Sequence, residues 1–184
     1  MNWNNHSSLK GEHAFLSASK YHWVNYDGEK LEDVYLSWLA VQKGTELHEL
    51  ASKLIDLQQK LPRSGKSFNL YVNDGIGFKM LTEQTLYYSP NCFGTADAIS
   101  FRDNILRIHD LKTGKTIASM KQLEIYAALF CLEYGKNPNS IEIELRMYQL
   151  DKVLVHHPDP EEILYIMEKI KDFDRRIQRL QNKE

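Results

Sequence analysis

Cysteine is scarce in this chain: two in 184 residues, Cys92 and Cys131, with no CxxC spacing. Two thiols cannot ligate a four-cysteine zinc or iron–sulfur centre and give no disulfide framework, so each is expected as a separate buried thiol. Long apolar runs are missing, and the opening MNWNNHSSLKGEH holds no apolar signal stretch. The expectation is a cytoplasmic protein with no membrane partner. Basic excess is also missing: 23 Lys and Arg against 25 Asp and Glu leave a net charge of −2. That excludes a polycation holding nucleic acid through its general surface. Any phosphate recognition must rest on local charge or on bound metal ions. Without repeats, low-complexity tracts or Pro/Gly/Ser linkers, one domain over 1–184 is expected, with 1–13 as a loose N-terminal tail.

What remains is ordinary globular material, 42% apolar and 26% charged. Leu16 to Trp23 has a serine-rich start and reads as a short helix. From Leu31 to Leu61 apolar residues recur at helical spacing, with Gly44 either a tolerated defect or a break after which Thr45 caps a second helix. Pro62 and the RSGKS stretch end it. The period then changes, and Met80–Tyr88, Thr95–Phe101 and Ile105–Leu111 read as strands. Helical spacing returns over Ser119–Tyr134 and stops at Gly135. Ile141–Leu150 meets Lys152–Val155 across Asp151 in a further hairpin. Asp159, Pro160, Glu161 and Glu162 form a strong helix start, and that helix runs to Leu180. Its basic residues Lys169, Lys171, Arg175, Arg176 and Arg179 are either a solvated face or a track for a phosphate backbone. The order gives an α+β fold, helices on a central mixed β-sheet.

The informative segment is the hairpin around Arg102-Asp103-Asn104. With Asp103 and Asn104 as the two central turn residues, the register places Asp97 directly across from Asp110, their Cβ atoms about 5 Å apart. Lys112 lies two residues along the same face, which also carries Ile99, Phe101, Leu106 and Ile108. Opposed carboxylates at the end of an apolar face are costly unless something compensates them. Two arrangements do so: an exposed ion pair bridged by Lys112, or a divalent cation of the Mg²⁺ or Mn²⁺ kind, with Lys112 positioning a water.

Four short motifs surround this pair: Gly44-Thr-Glu-Leu-His48, Gly94-Thr-Ala-Asp97, Asp110-Leu-Lys112-Thr113 and Gln122-Leu-Glu-Ile-Tyr126. In this order, on a helix, two strands and a helix, they resemble the GxxxH, GxxD, DxKT and QxxxY motifs of the RecB-type nucleases of the PD-(D/E)xK superfamily. The resemblance covers roughly residues 44–126. It implies an α/β/α restriction-endonuclease-like fold and metal-dependent hydrolysis of DNA phosphodiesters by an exonuclease of recombination, repair or phage DNA processing. It implies that His48, Asp97, Asp110 and the backbone carbonyl of Leu111 hold one or two Mg²⁺ or Mn²⁺ ions, and that Lys112 orients the attacking water. Gln122 and Tyr126 would hold Lys112 or contact the DNA, and Glu83 would be a fringe acid near a second ion.

Some relatives of that kind carry four cysteines for an iron–sulfur cluster; the two here exclude it. The chain has no helicase region, so an unwinding or recombination partner would be a separate protein. A competing expectation is a nuclease-fold module that binds nucleic acid or protein without cutting. A small-phosphoester hydrolase is disfavoured by the absence of HD, HxxEH and Gly-rich phosphate-loop motifs. His109 is expected on the opposite strand face, and His156 and His157 in a loop.

Overall fold

The structure is a computed structural model that describes residues 4–11 and 13–182. Its centre is a five-stranded mixed sheet in the order β1-β2-β3-β4-β5. The strands are β1 (Leu81–Ser89), β2 (Cys92–Arg102), β3 (Ile105–Leu111), β4 (Glu142–Gln149) and β5 (Lys152–His156). The helices are α1 (Gly28–Asp56), α2 (Ser67–Gly77), α3 (Lys121–Glu133) and α4 (Pro160–Gln181), with short 3-10 turns at Ser7–Leu9, Ala18–Asn25 and Pro138–Ser140. All neighbouring strands are antiparallel except β3 and β4, which run parallel. A parallel pair needs a crossover, and α3 supplies it. The fold is α+β in an α/β/α layout.

Both hairpin turns hold two residues in left-handed backbone; at the first, both are of types that tolerate it, and at the second, Asp151 is and Leu150 is not. Asp103 and Asn104 have φ of 51° and 63°, and Leu150 and Asp151 have 52° and 58°, as a two-residue turn matching strand twist requires. Asn and Asp adopt this region readily. The first turn sets the register Ala98↔His109, Ile99↔Ile108, Ser100↔Arg107 and Phe101↔Leu106. The ladder ends at Ala98↔His109, one step short of Asp97 and Asp110.

Each sheet face is covered. Ile99, Leu106, Ile108, Leu145 and Met147 pack with Leu123, Ala127 and Phe130 of α3 and Ile163 of α4. On the other face Ala98, Leu111 and Tyr148 pack with Ala51 and Ile55 of α1 and Tyr71, Val72 and Ile76 of α2. The alternation changes phase at Asp97: Ala96 belongs to the first face and Ala98 to the second. Across from Asp97, between the pairs Thr82↔Ala98 and Gln84↔Ala96, Glu83 has a φ of 50°. This irregularity turns the Asp97 backbone at the point where the ladder with β3 begins.

The contacts group the chain into two compact units, Met1–Thr45 and Glu46–Glu184. In the first, Phe15, Tyr35 and Trp38 stack within 5.7 Å of one another, and the Trp23 indole donates to the Ser17 carbonyl. The expected tail 1–13 includes residues outside the described ones (1–3 and 12), but Ser7–Leu9 within it is a 3-10 turn. Among the described residues, no helix is long and apolar enough to cross a membrane.

Several boundaries differ from the sequence expectation. The helix expected from Leu31 to Leu61 spans Gly28–Asp56, started by the Asp27 carboxylate accepting from the Lys30 amide at 2.8 Å. Gly44 is a tolerated defect inside it, and Thr45 bonds back to the Val41 carbonyl instead of capping. Helix α2 was not expected, because SFNLYVNDGIG is rich in residues that disfavour helix. Packing overrides that preference: a Cβ at Gly75 would lie 2.6 Å from Ile55 Cδ1, so the glycine lets α1 and α2 close together. His156 ends β5 and does not lie in a loop.

Candidate active site

Four elements converge where β2 and β3 diverge. Asp97 comes from β2, Asp110 from β3, His48 from α1, and Lys112 follows β3 directly. His48 Nδ1 lies 3.1 Å from Asp97 Oδ2. The Leu111 amide donates to that same oxygen at 3.4 Å, which places the Leu111 backbone beside the Asp97 carboxylate. Lys112 Nζ sits 3.0 Å from Asp110 Oδ2 and donates to Gln122 Oε1 at 3.0 Å. Gln122 Nε2 in turn donates to the Tyr126 hydroxyl at 3.1 Å. Gln122 and Tyr126 are one turn apart on α3, so a single helix face reaches the lysine. The structure thus brings together His48, Asp97, Asp110, Leu111, Lys112, Gln122 and Tyr126.

Asp110 decides the electrostatics. It is 2% exposed, so the exposed ion-pair arrangement does not apply. Its Oδ2 faces the Lys112 ammonium at 3.0 Å and has no other polar partner among the described residues. Burial, then the Asp97 charge, push the Asp110 carboxyl up to about 6, against the smaller opposing pull of Lys112. His48 moves upward too, because its hydrogen bond to Asp97 favours the imidazolium, outweighing partial burial. His48 Nδ1 and Asp97 Oδ2 are 3.1 Å apart. Neighbouring ligands on an octahedral ion with bonds of about 2.1 Å are separated by about 3 Å. His48 and Asp97 have this spacing and suit a hard divalent cation; among the described residues Asp110 does not complete a group of three ligand atoms within 4.8 Å, so it would have to shift to join an ion held by the other two.

One motif residue gains a physical reason, and Gln149 and Tyr71 are supports that the sequence reading missed. Gly94 has a physical reason: a Cβ there would lie 3.0 Å from Tyr126 Cε1, so the glycine leaves room for the ring that steadies Gln122. Gln149, 4% exposed at the end of β4, fixes the loop between Lys112 and α3. Its Nε2 donates to the Gly114 and Thr116 carbonyls at 2.7 Å each, and its Oε1 accepts from the Ala118 amide at 3.1 Å. No motif marks a lone glutamine at a strand end. Tyr71 was missed with α2; its buried phenol lies in the field of Asp97 and Asp110, which, after burial itself, pushes its ionisation upward.

Other residues fall outside this group. Glu83 is exposed on β1, opposite Asp97, with its carboxyl raised by partial burial and then by the Asp97 charge. His109 is on the opposite face, fully buried, with Nδ1 3.1 Å from the Tyr148 hydroxyl. Both cysteines are free, Cys131 buried and Cys92 only half-buried. On α4 the basic residues are largely paired within the helix: Lys171 with Glu168, and Arg176 and Arg175 with Asp172. Among the described residues, the group of three metal-ligating side chains whose ligand atoms all lie within 4.8 Å of one another is a different one, Glu124, His156 and Glu162.

A family model for proteins of unknown function (DUF2800) matches residues 67–151. That span runs from α2 to the β4–β5 turn and includes Asp97, Asp110, Lys112, Gln122, Tyr126 and Gln149, but not His48. No curated protein matches the chain.

Proposed function

We propose that this chain is a metal-dependent deoxyribonuclease of the RecB type, hydrolysing DNA phosphodiester bonds as an exonuclease in the cytoplasm. The observation that carries the reading is the buried Asp110 carboxylate. Its Oδ2 has the Lys112 ammonium, 3.0 Å away, as its one polar neighbour among the described residues. A fold keeps such a group when a cation or a reaction uses it.

Asp97, Asp110, His48 and the Leu111 carbonyl would hold Mg²⁺ or Mn²⁺. A bound ion of this kind lowers the pKa of a bound water and neutralises charge on the phosphate. The chain's own groups supply the rest. Lys112, held by Gln122 and through it by Tyr126, presents an ammonium whose direction is fixed before substrate arrives. A preorganised charge of this kind stabilises the developing negative charge of the phosphoryl oxygens. His48, held by Asp97 at 3.1 Å, would bind such an ion as the neutral imidazole. No hydroxyl or thiol stands beside a base in this group, so direct attack by water is favoured over a covalent intermediate. The net charge of −2 is compatible with DNA as partner, because positive charge is then concentrated where the phosphate sits.

The test is incubation of linear and circular duplex DNA, and of a small chromogenic phosphodiester, with Mg²⁺ or Mn²⁺ and with EDTA. Metal-dependent loss of the linear DNA with intact circles is the expected result. Cutting of circles would replace exonuclease by endonuclease. Cutting of the small ester alone would move the chain to the small-phosphoester hydrolases. No cutting under any metal would leave a binding module on this fold.

A further inference from the structure

We propose a second, separate cation site of the Zn²⁺ class, formed by Glu124, His156 and Glu162. The three ligands come from three elements: the first turns of α3, the last residue of β5 and the first turn of α4. One ligand atom from each lies within 4.8 Å of the others. None of the three belongs to the Asp97–Asp110 group, and Glu124 projects from a different face of α3 than Gln122 and Tyr126.

Glu124 makes this more than a surface cluster. It is 5% exposed, a burial that carboxylates show almost only when paired or bound. One oxygen pairs with Lys121, and the other lies 3.4 Å from His156 Nε2 without forming a hydrogen bond among the described residues. The lysine side chain is 59% exposed and reaches the acids from solvent. It acts as a placeholder, a flexible cation occupying the space where two carboxylates and an imidazole converge.

The donor set is one imidazole nitrogen and two carboxylate oxygens, which suits Zn²⁺ over Mg²⁺ or Ca²⁺. Zinc bonds of about 2.1 Å put tetrahedral ligands about 3.4 Å apart. The group therefore has to contract, and Glu162, exposed at the helix start, has the freedom to do so. Three protein ligands leave one position to water. An ion here would tie the start of α4 to the end of β5 and to α3, closing the layer that covers the α3 face of the sheet.

The measurement is Zn²⁺ binding by equilibrium dialysis to the untagged Asp97→Asn/Asp110→Asn chain, in which the first site is disabled. One bound Zn²⁺ per chain is expected at micromolar concentration. His156→Ala and Glu162→Gln should each weaken it by at least about tenfold, and Lys121→Met should tighten it severalfold by removing the competing cation. Glu162 is exposed, so its variant keeps the fold, as circular dichroism checks. No bound Zn²⁺ in the parent overturns the proposal. So does binding that survives either ligand substitution, or a Lys121→Met chain that binds more weakly, because the cluster is then an ion-pair network only.

Discussion

Replacing Asp110 by asparagine should stabilise the metal-free protein while removing its activity. The folded structure pushes the Asp110 carboxyl from its ordinary 3.8 to about 6. Each pKa unit corresponds to about 1.4 kcal/mol, so holding the ionised form at neutral pH costs the fold about 3 kcal/mol. The sign follows from proton uptake. Below pH 3.8 the group is protonated in both states and costs nothing. As pH rises from there to about 6, the unfolded chain ionises first and stability falls; above that window the loss is complete. Asparagine is neutral throughout. In EDTA, urea unfolding should therefore find Asp110→Asn more stable than the parent by about 1–3 kcal/mol at pH 7 and nearly equal at pH 4. Titrating groups that do not feel Asp110 cancel in the comparison; His48, which the Asp110 charge helps to raise, does not. Mn²⁺ at pH 7 should stabilise the parent and not the variant. A variant that is less stable at pH 7 would show that Asp110 and Lys112 form a stabilising ion pair, and the reasoning would fall.

Three further outcomes follow from the same geometry. His109 is buried neutral, its pKa lowered to about 3 by burial and then by Arg146 and Arg107; a lowered imidazole makes stability fall as pH drops below 6.5 toward that value, by up to about 1.4 kcal/mol per pH unit. His109→Gln should lose that slope in pH-dependent urea unfolding. Gly94→Ala puts a Cβ against the Tyr126 ring; it should cost about 1–3 kcal/mol by overpacking and slow cutting, with Tyr126→Ala restoring stability but not rate. Gln149→Leu frees the Gly114–Ala118 loop; faster hydrogen exchange at the Ala118 amide and a slower reaction with the sheet intact are expected.

How much of this was legible in the sequence depended on how local the cause was. The turn at Asp103-Asn104 needs only left-handed backbone at two residues that accept it, so the register and the Asp97–Asp110 juxtaposition could be read directly. The Asp159 cap and Pro160 start α4 for equally local reasons. Helix α2 could not be read, because a tertiary contact of Gly75 with Ile55 outweighs poor helix propensity. Helix α1 ends where Gln58 takes a φ of 56° and its amide bonds back to the Ile55 carbonyl at 3.0 Å, a stop that no glycine or asparagine marks in the sequence. Within the candidate site, the motifs pointed to side chains that the fold gathers together, but the depth of Asp110 and the Gln149 clamp depend on β4, far along the chain. The role of Glu124 and His156 was invisible for the same reason: residues 32 apart meet only when β5 ends beside α3.

The most direct test of the central claim is single-turnover cleavage of an end-labelled linear DNA by the parent, Lys112→Ala and Asp110→Asn across a Mn²⁺ titration. The account predicts saturable metal-dependent cutting by the parent, and a rate lower by at least about a hundredfold for Lys112→Ala, which loses a preorganised transition-state charge. Asp110→Asn should need far more Mn²⁺ or not respond at all, with both variants folded. Cutting at the parental rate by either variant, or cutting that persists in EDTA, would contradict it.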